Sequence, residues 1–319
     1  MFRQNFNRCE WIEAIYILVA IVSLVTISCH AAYSSEGGQS SYPPGFQDVL
    51  AGYQPPPGNY FQEKLYFYTG NAGKVVREGR IEANLHEYLP VQFSIFNQVT
   101  KAKLWGSYYS WALLVPFAEP NLRGEIVTPL GNRDFGQSIS ALSEVEIIPM
   151  MLGWHNGRSN QKTWLTIYAP TGEYNINNLV NTSLNRWAVE LDYAYTFMDM
   201  KTMRQFSVAP GYTFNFENPA TNYISGQEFH IDLAATQNLS PKWGVGAVGY
   251  IFIQTTPDSG SGAKLGAFEG RTYALGPILT CNTKVGNVPI MLVGKYYSEF
   301  DVSKRFEGHS YWLNINASF

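Results

Sequence analysis

The sequence predicts an all-β protein, a transmembrane antiparallel up-and-down β-barrel of about twelve strands that follows an irregular N-terminal segment. Three observations predict this fold. Apolar and polar residues alternate at a period of two along most of the chain after Tyr60. The alternating segments are about ten or more residues long, and short connections between them alternate with long ones. Strands of soluble sandwiches average about five or six residues, so these lengths favour a membrane barrel.

The composition excludes several other classes of protein. Aromatic residues make up 15% of the 319 residues and charged residues another 15%, a low share of charge for a globular domain. The abundance of apolar side chains argues against disorder, and the composition excludes a coiled coil and collagen. A single long apolar run does not fit a protein with several helical membrane spans. A net charge of −3 gives no electrostatic reason to expect nucleic acid as a partner.

Residues 1–32 are predicted to be a secretory signal peptide. Two arginines precede an apolar stretch over residues 14–27, and small residues follow it. Cleavage is expected between Ala31 and Tyr33. An apolar stretch of about 14 residues is too short to span a bilayer comfortably, which disfavours a permanent anchor. A lipoprotein acylated at Cys29 is a weaker alternative, because the usual leucine is missing before the cysteine.

The segment that follows, residues 33–59, is rich in Ser, Gly and Pro and is predicted to be irregular. Two interpretations are open: a flexible leader, which we prefer, and a plug or latch folded into a pore. Residues 60–319 form the predicted outer-membrane barrel. Once the signal peptide is removed, Cys281 is the single cysteine left. We therefore expect neither an intramolecular disulfide nor a zinc site built on several cysteines.

The barrel strands can be assigned in order along the chain, with boundaries uncertain by about two to four residues. The predicted strands are 60–69, 86–99, 102–116, 138–153, 161–170, 183–198, 202–215, 226–239, 242–255, 269–283, 287–299 and 307–319. Connections at 99–102, 198–202, 239–242 and 283–287 are short. Most of the others are long, as tight periplasmic turns and long outer loops require.

The two faces of these strands differ in character. Every second residue from Trp187 to Phe197 is apolar or aromatic, and the residues between them are polar or small. A similar outward row is predicted from Trp105 through Ser107 to Phe117. The apolar rows are expected to face lipid and the polar rows to face the lumen.

The chain ends in an amphipathic strand whose last residue is the aromatic Phe319. Such a strand resembles the signal that outer-membrane assembly machinery recognises. We therefore predict the barrel-assembly machinery and outer-membrane lipid as partners.

Charged residues of the polar rows are expected inside the barrel, because charge that faces lipid is costly. The candidate lumen-lining residues are Arg186, Glu190, Asp192, Glu228, His230, Asp232 and Lys295, and the same rows hold Glu144, Glu146, Arg271 and Glu299. Glu228, His230 and Asp232 lie at i, i+2 and i+4 on one face, about 7 Å apart from one to the next. We favour a hydrogen-bond network at these three residues over a metal site or a catalytic base.

No catalytic residue, metal or cofactor is predicted. The other histidines of the mature chain, His86, His155 and His309, fall near loops or strand ends, and none accompanies a Gly-x-Ser-x-Gly motif. The run from Gly260 to Gly266 resembles a phosphate-binding loop, but it lacks the Lys-Ser or Lys-Thr pair and the following helix. We predict a flexible outer loop there.

Several motifs in the second half of the chain resemble those of a known family. They lie at 170–174, 211–218, 223–232, 244–250, 270–271 and 274–277. These segments resemble the outer-membrane proteins associated with meta-pathway phenol degradation, over roughly residues 150–319. The resemblance implies a barrel-forming protein related in role to the fatty-acid and toluene uptake channels.

Together, the pattern and the resemblance predict an outer-membrane channel or transporter whose partner is a small hydrophobic or aromatic solute. A barrel of about twelve strands leaves a narrow lumen that side chains partly fill. Two alternatives are open. One is a non-transporting barrel that serves as an adhesin or a structural protein of the cell surface, and the other is a barrel enzyme that acts on lipid.

Overall fold

The computed structural model describes residues 38–77, 80–128, 131–264 and 269–318. The predicted signal peptide at 1–32 and the terminal Phe319 lie outside these residues. Seventeen strands, numbered along the chain, occupy the described part. No helix found there is long and apolar enough to cross a membrane.

Twelve long strands form one group and five shorter strands form a second. The long strands are β1 (Gly58–Arg77), β2 (Arg80–Leu104), β3 (Ser107–Ala118), β7 (Val145–Asn156), β8 (Ser159–Ala169), β9 (Ala188–Asp199), β10 (Arg204–Asn215), β13 (Glu228–Asn238), β14 (Trp243–Gln254), β15 (Arg271–Val285), β16 (Val288–Ser303) and β17 (Glu307–Ser318). The shorter strands are β4 (Asn121–Thr128), β5 (Gly131–Ser138), β6 (Ala141–Leu142), β11 (Glu217–Asn218) and β12 (Tyr223–Ile224).

Antiparallel pairing closes the twelve long strands into a barrel. Each strand pairs with its neighbours along the chain, and β1 pairs with both β2 and β17. The pairing of first and last strands runs from Tyr60 opposite Ser318 to Asn71 opposite Glu307. A closed sheet has no free edge, so its backbone groups are bonded within the protein, as a lipid environment requires. The predicted up-and-down barrel of about twelve strands is confirmed.

Two predicted outer loops contain strands. Residues 70–85 were expected to be a loop, but β1 continues to Arg77 and β2 starts at Arg80. The loop expected at 117–137 holds the β4–β5 hairpin, in which β4 pairs with β2. A transmembrane strand needs about 9–11 residues, so these extensions go beyond what a bilayer requires. Beyond the membrane a strand needs no lipid-facing apolar row, and that row is the signal on which the prediction rests.

The first periplasmic turn lies later than predicted. The turn expected at 99–102 is part of β2, and the chain reverses at Trp105 and Gly106, whose φ angles are 50° and 82°. Two consecutive residues with positive φ form the hairpin turn that matches the twist of the strands. A bulge between Val99 and Lys103 shifts the register just before it. The outward row predicted from Trp105 is therefore wrong at its start, because Ser107 is buried inside the barrel.

The remainder of the predicted alternation is present in the structure. Along β9, Leu191 is 56% exposed and Tyr193 40% exposed. Glu190, which precedes Leu191 and points to the other face, is 1% exposed. Trp187 just before the strand is also exposed. Exposed apolar side chains recur on the outer surface of the other barrel strands. A contiguous apolar outer surface of this kind is the lipid-facing band of a membrane barrel.

Candidate functional site

The irregular segment before β1 lies inside the barrel. Residues 38–57 contain no strand, yet Tyr42, Phe46, Val49 and Ala51 are at most 8% exposed and pack with inward-facing residues of the wall. The expectation of a flexible leader differs from this arrangement, and the alternative of a segment folded into the lumen agrees with it. The physical reason is that aromatic and apolar side chains, spaced along the Gly/Pro-rich chain, are removed from water inside the barrel. We call residues 38–57 the lumen segment.

A tight turn gives the lumen segment its shape. The N–H of Phe46 donates to the carbonyl of Pro43 at 3.1 Å, with Pro44 and Gly45 between them. Gly45 has a φ of 85°, which identifies the third position of a type II turn after proline. A side chain at this glycine would also lie 2.8 Å from the ring of Tyr297, so the close approach to the wall requires glycine as well.

Asp232 holds this turn against the barrel wall. Its carboxylate accepts hydrogen bonds from the hydroxyl of Tyr42, from the N–H of Gly45 at 2.9 Å and from the N–H of Gln47 at 2.8 Å. All of these groups are buried or partly buried. One carboxylate thus binds three donors of the lumen segment. The sequence predicted Asp232 in a network with Glu228 and His230, whereas its partners lie in the lumen segment.

Two lysines bind carbonyl groups of the same turn. The Nζ of Lys295 donates to the carbonyl of Gly45 at 2.5 Å and lies 2.8 Å from the carboxylate of Asp48. The Nζ of Lys64 donates to the carbonyl of Phe46 at 2.7 Å and lies 3.6 Å from the centre of that ring. Lys295 was among the predicted lumen residues. Lys64 was not among them, although the alternation of residues in β1 could have predicted its position in the lumen.

His230 lies in a buried group with residues of β9, which is separated from its own strand, β13, by β10. Its Nε2 is 3.5 Å from Glu190 and 3.9 Å from Asp192, and its ring stacks on Tyr42 with the centres 3.6 Å apart. The three side chains offer ligand atoms within 4.8 Å of one another, the spacing of a possible cation site. Both carboxylates also accept hydrogen bonds from hydroxyl groups of the wall. Glycine at 211 leaves room for the group, because a Cβ there would lie 2.2 Å from the histidine Nε2.

The two remaining candidates lie apart from this group. Arg186 is 1% exposed and binds the side-chain oxygen of Asn215 through Nε at 3.3 Å and Nη2 at 3.2 Å. Glu228 is completely buried at the start of β13. The structure therefore places all seven predicted residues inside the barrel, but it distributes them among three locations.

A cavity of ≈160 Å³ lies in the outer half of the barrel, next to the start of the lumen segment. Its lining includes residues 38–41 of that segment, residues 181–184 of the loop before β9, and side chains of seven barrel strands. The loop is fixed at this place, since the N–H of Leu184 donates to the carboxylate of Glu144 at 2.7 Å.

The outer loop between β14 and β15 is also held by a carboxylate. Asp258 accepts hydrogen bonds from the hydroxyl of Tyr223 at 2.5 Å, the N–H of Gly226 at 2.8 Å and the side-chain amide of Gln254 at 2.8 Å. Further along, the N–H of Gly262 donates to the carbonyl of Asn222 at 2.9 Å. The described part of this loop is thus bonded to a second loop. The sequence predicted a flexible loop here instead.

This carboxylate predicts a pH-dependent opening of the outer loops. Burial raises the pKa of the Asp258 carboxyl from its ordinary value of 3.8 to about 7, although the three hydrogen bonds lower it. Between those values the closed loop binds one more proton than the open loop, so a rise in pH favours opening. We expect the opening equilibrium constant to increase about tenfold from pH 6 to pH 8. Hydrogen exchange at the Gly226 amide, corrected for the intrinsic rate, measures it.

The variant Asp258→Asn provides the control, because its side chain does not titrate in this range. Its opening constant is expected to be the same at both pH values. An opening constant of the unmodified protein that is flat with pH, or that falls as pH rises, would contradict the prediction.

Comparisons with known proteins agree with the barrel. The chain matches the sequence family described as "Putative MetA-pathway of phenol degradation" over residues 67–315. No curated protein sequence matches it. The COG4313 outer membrane channel from Pseudomonas putida F1 has a similar fold, with a TM-score of 0.63 at 14% identity over 83% of this chain and 97% of that one.

Two further solved barrels are similar at a lower level. The beta domain of the Bordetella autotransporter BrkA has a TM-score of 0.45 at 12% identity, over 83% of this chain and 100% of that chain. A Pseudomonas aeruginosa FadL homologue has a TM-score of 0.43 at 7% identity, over 91% of this chain and 98% of that chain. The family match covers most of the sequence and agrees with the closed sheet and its apolar outer band: the chain belongs to this phenol-degradation family and is a twelve-stranded β-barrel of the bacterial outer membrane.

Proposed function

We propose that the protein is a channel for small hydrophobic or aromatic compounds. One observation carries the proposal: the lumen segment fills the barrel without belonging to any of its strands. The wall is closed by its own strand pairing, from β1 round to β17. The segment can therefore shift or leave while every hydrogen bond between strands is retained, which is the property that a gate in a channel needs.

The chemistry of the interior supports the same proposal. Separate polar contacts hold the lumen segment against the wall. Asp232, Lys64 and Lys295 bind its turn, and further hydrogen bonds join Gln39, Gly52 and Gln54 to wall residues. Aromatic side chains line the cavity. The fold is also similar to that of a protein described as an outer membrane channel, although a likeness of fold alone does not assign a function.

Uptake into proteoliposomes tests this proposal. Vesicles that contain the folded protein are expected to take up a neutral single-ring solute such as benzyl alcohol faster than empty vesicles. Vesicles with heat-unfolded protein serve as the control. Lack of uptake of any small aromatic solute or sugar, both by the complete protein and by a folded variant without the lumen segment, would refute a channel.

A further inference from the structure

The cavity in the outer half of the barrel has the size of one aromatic ring. Its volume is ≈160 Å³, and an apolar cavity of about 150 Å³ is large enough for benzene. The lumen segment covers it on one side, through residues 38–41, and the loop residues 181–184 cover it on another. A molecule on the way to the gate would therefore be enclosed here before the lumen segment moves.

Aromatic side chains form much of the wall of this cavity. They are Tyr66, Tyr68, Phe93, Tyr168, Tyr250 and Phe306. The faces of aromatic rings pack well against another ring and attract a positive charge, whereas they repel a negative one. The wall thus suits a flat ring that bears a cationic group.

The charged side chains of the cavity are mostly carboxylates. Glu87, Glu144, Glu146 and Glu299 line it, and Arg305 is the cation among the described lining residues. The oxygens of a carboxyl group accept hydrogen bonds from a guest. The charge balance therefore favours a guest that donates hydrogen bonds or carries positive charge.

Three of these carboxylates are already occupied by the protein. Glu299 accepts hydrogen bonds from two tyrosine hydroxyls, at 2.9 and 2.6 Å. Glu144 accepts one from the N–H of Leu184 at 2.7 Å. Glu87 accepts one from the side-chain amide of Gln39 at 2.9 Å. These three serve to fix loops, hydroxyl groups and the lumen segment around the cavity.

Glu146 differs from the other three. Its side chain is 6% exposed and lines the cavity, but within the described residues neither a hydrogen bond nor an ion pair satisfies its carboxylate. A buried polar group without a partner costs free energy, and a carboxylate costs more than a neutral group. Lys64 of the lumen is already bound to the carbonyl of Phe46.

The arginine does not reverse this balance. The guanidinium carbon of Arg305 lies 4.1 Å from the centre of the Phe252 ring, and its Nη2 is 3.4 Å from the hydroxyl of Ser40. These contacts hold it against the wall and the lumen segment. Its Nη1 has no hydrogen-bond partner among the described residues, so one free donor of the arginine stands against four carboxyl groups in the lining.

We propose that this cavity is a binding site for a single-ring aromatic amine in its protonated form, with the carboxylate of Glu146 as acceptor of the ammonium N–H. The proposal rests on the proposed channel function, because it names the class of solute that the channel holds. The ring lies among the tyrosines and Phe93, and the ammonium group supplies the donor that Glu146 lacks.

Equilibrium binding to the full-length protein in detergent tests this site with three ligands of similar size. Calorimetry is expected to rank benzylamine above benzyl alcohol and to show no binding of benzoate. In the variant Glu146→Gln, benzylamine is expected to lose about tenfold or more in affinity, because a charge-assisted hydrogen bond is removed. Benzyl alcohol is expected to change much less.

Glu228→Gln is the matched control, since Glu228 is also buried in the lumen but does not line the cavity. It should bind benzylamine as the unmodified protein does. Equal affinity for all three ligands, a preference for benzoate, or an unchanged benzylamine affinity in Glu146→Gln would overturn the proposal. The ranking of ligands by the unmodified protein needs no variant, so a misfolded variant cannot conceal a failure.

The outcomes also separate this site from the channel. Binding with the expected ranking but without uptake into vesicles would support the site and refute the channel function. Uptake of benzyl alcohol without any preference for the amine would support the channel and refute the site.

Discussion

Replacement of Asp232 by alanine is expected to release the lumen segment. The carboxylate binds the hydroxyl of Tyr42 and the N–H groups of Gly45 and Gln47. Its loss leaves the first two donors without this acceptor, whereas the N–H of Gln47 also donates to the Tyr42 hydroxyl at 3.3 Å. Because a buried unsatisfied donor costs about 1–3 kcal/mol, we expect a loss of at least about 2 kcal/mol, or roughly 30-fold in the closed-to-open ratio of the segment.

A cysteine at position 51 can report this release. Ala51 is 5% exposed, so Ala51→Cys in a background with Cys281→Ala is expected to react slowly with a membrane-impermeant maleimide. Adding Asp232→Ala should accelerate the reaction by about the same 30-fold factor. Asp301→Ala removes an exposed carboxylate and should leave the rate unchanged. Equal rates in the Asp232→Ala and Asp301→Ala variants would show that the carboxylate does not hold the segment.

Replacement of Gly211 by alanine is expected to have the largest effect on stability. A Cβ at this position would lie 2.2 Å from the Nε2 of His230 and 2.7 Å from the carboxylate of Asp192. The buried group would have to separate, and overpacking of this kind costs about 1–3 kcal/mol. We expect a lower temperature for the shift in gel mobility that marks barrel unfolding in detergent.

Gly294 provides the matched control, because it also lies in a barrel strand but has open space where a Cβ would be placed. Gly294→Ala should unfold close to the temperature of the unmodified protein. If both alanine variants unfold together at that temperature, the close packing around His230 has no energetic importance.

The alternation of residue types was sufficient to predict the barrel and its polar interior. It assigned Glu190, Asp192 and Lys295 to the inside, because a period of two separates the faces of a strand. Alternation does not reveal which strands are neighbours. The network predicted along one strand, from Glu228 to Asp232, is instead formed across strands, since Glu190 on β9 meets His230 on β13.

The sequence pattern could not predict the path of the lumen segment. Its contacts join residues nearly 200 positions apart, such as Tyr42 and Asp232, and no local rule specifies them. A weaker signal was present. Tyr42, Phe46 and Val49 are spaced apolar residues that a solvated leader does not need. For Glu146, the alternation predicted the position on the inner face, but it could not predict that the carboxylate lacks a hydrogen-bond partner.

The conductance of single proteins in planar bilayers tests the central claim most directly. The complete protein is compared with a variant that lacks residues 38–57 and whose folding is shown by its heat-modifiable mobility. If the lumen segment closes a channel, the deletion variant conducts continuously and the complete protein opens only in brief events. A folded deletion variant that conducts no more than the complete protein would contradict the account.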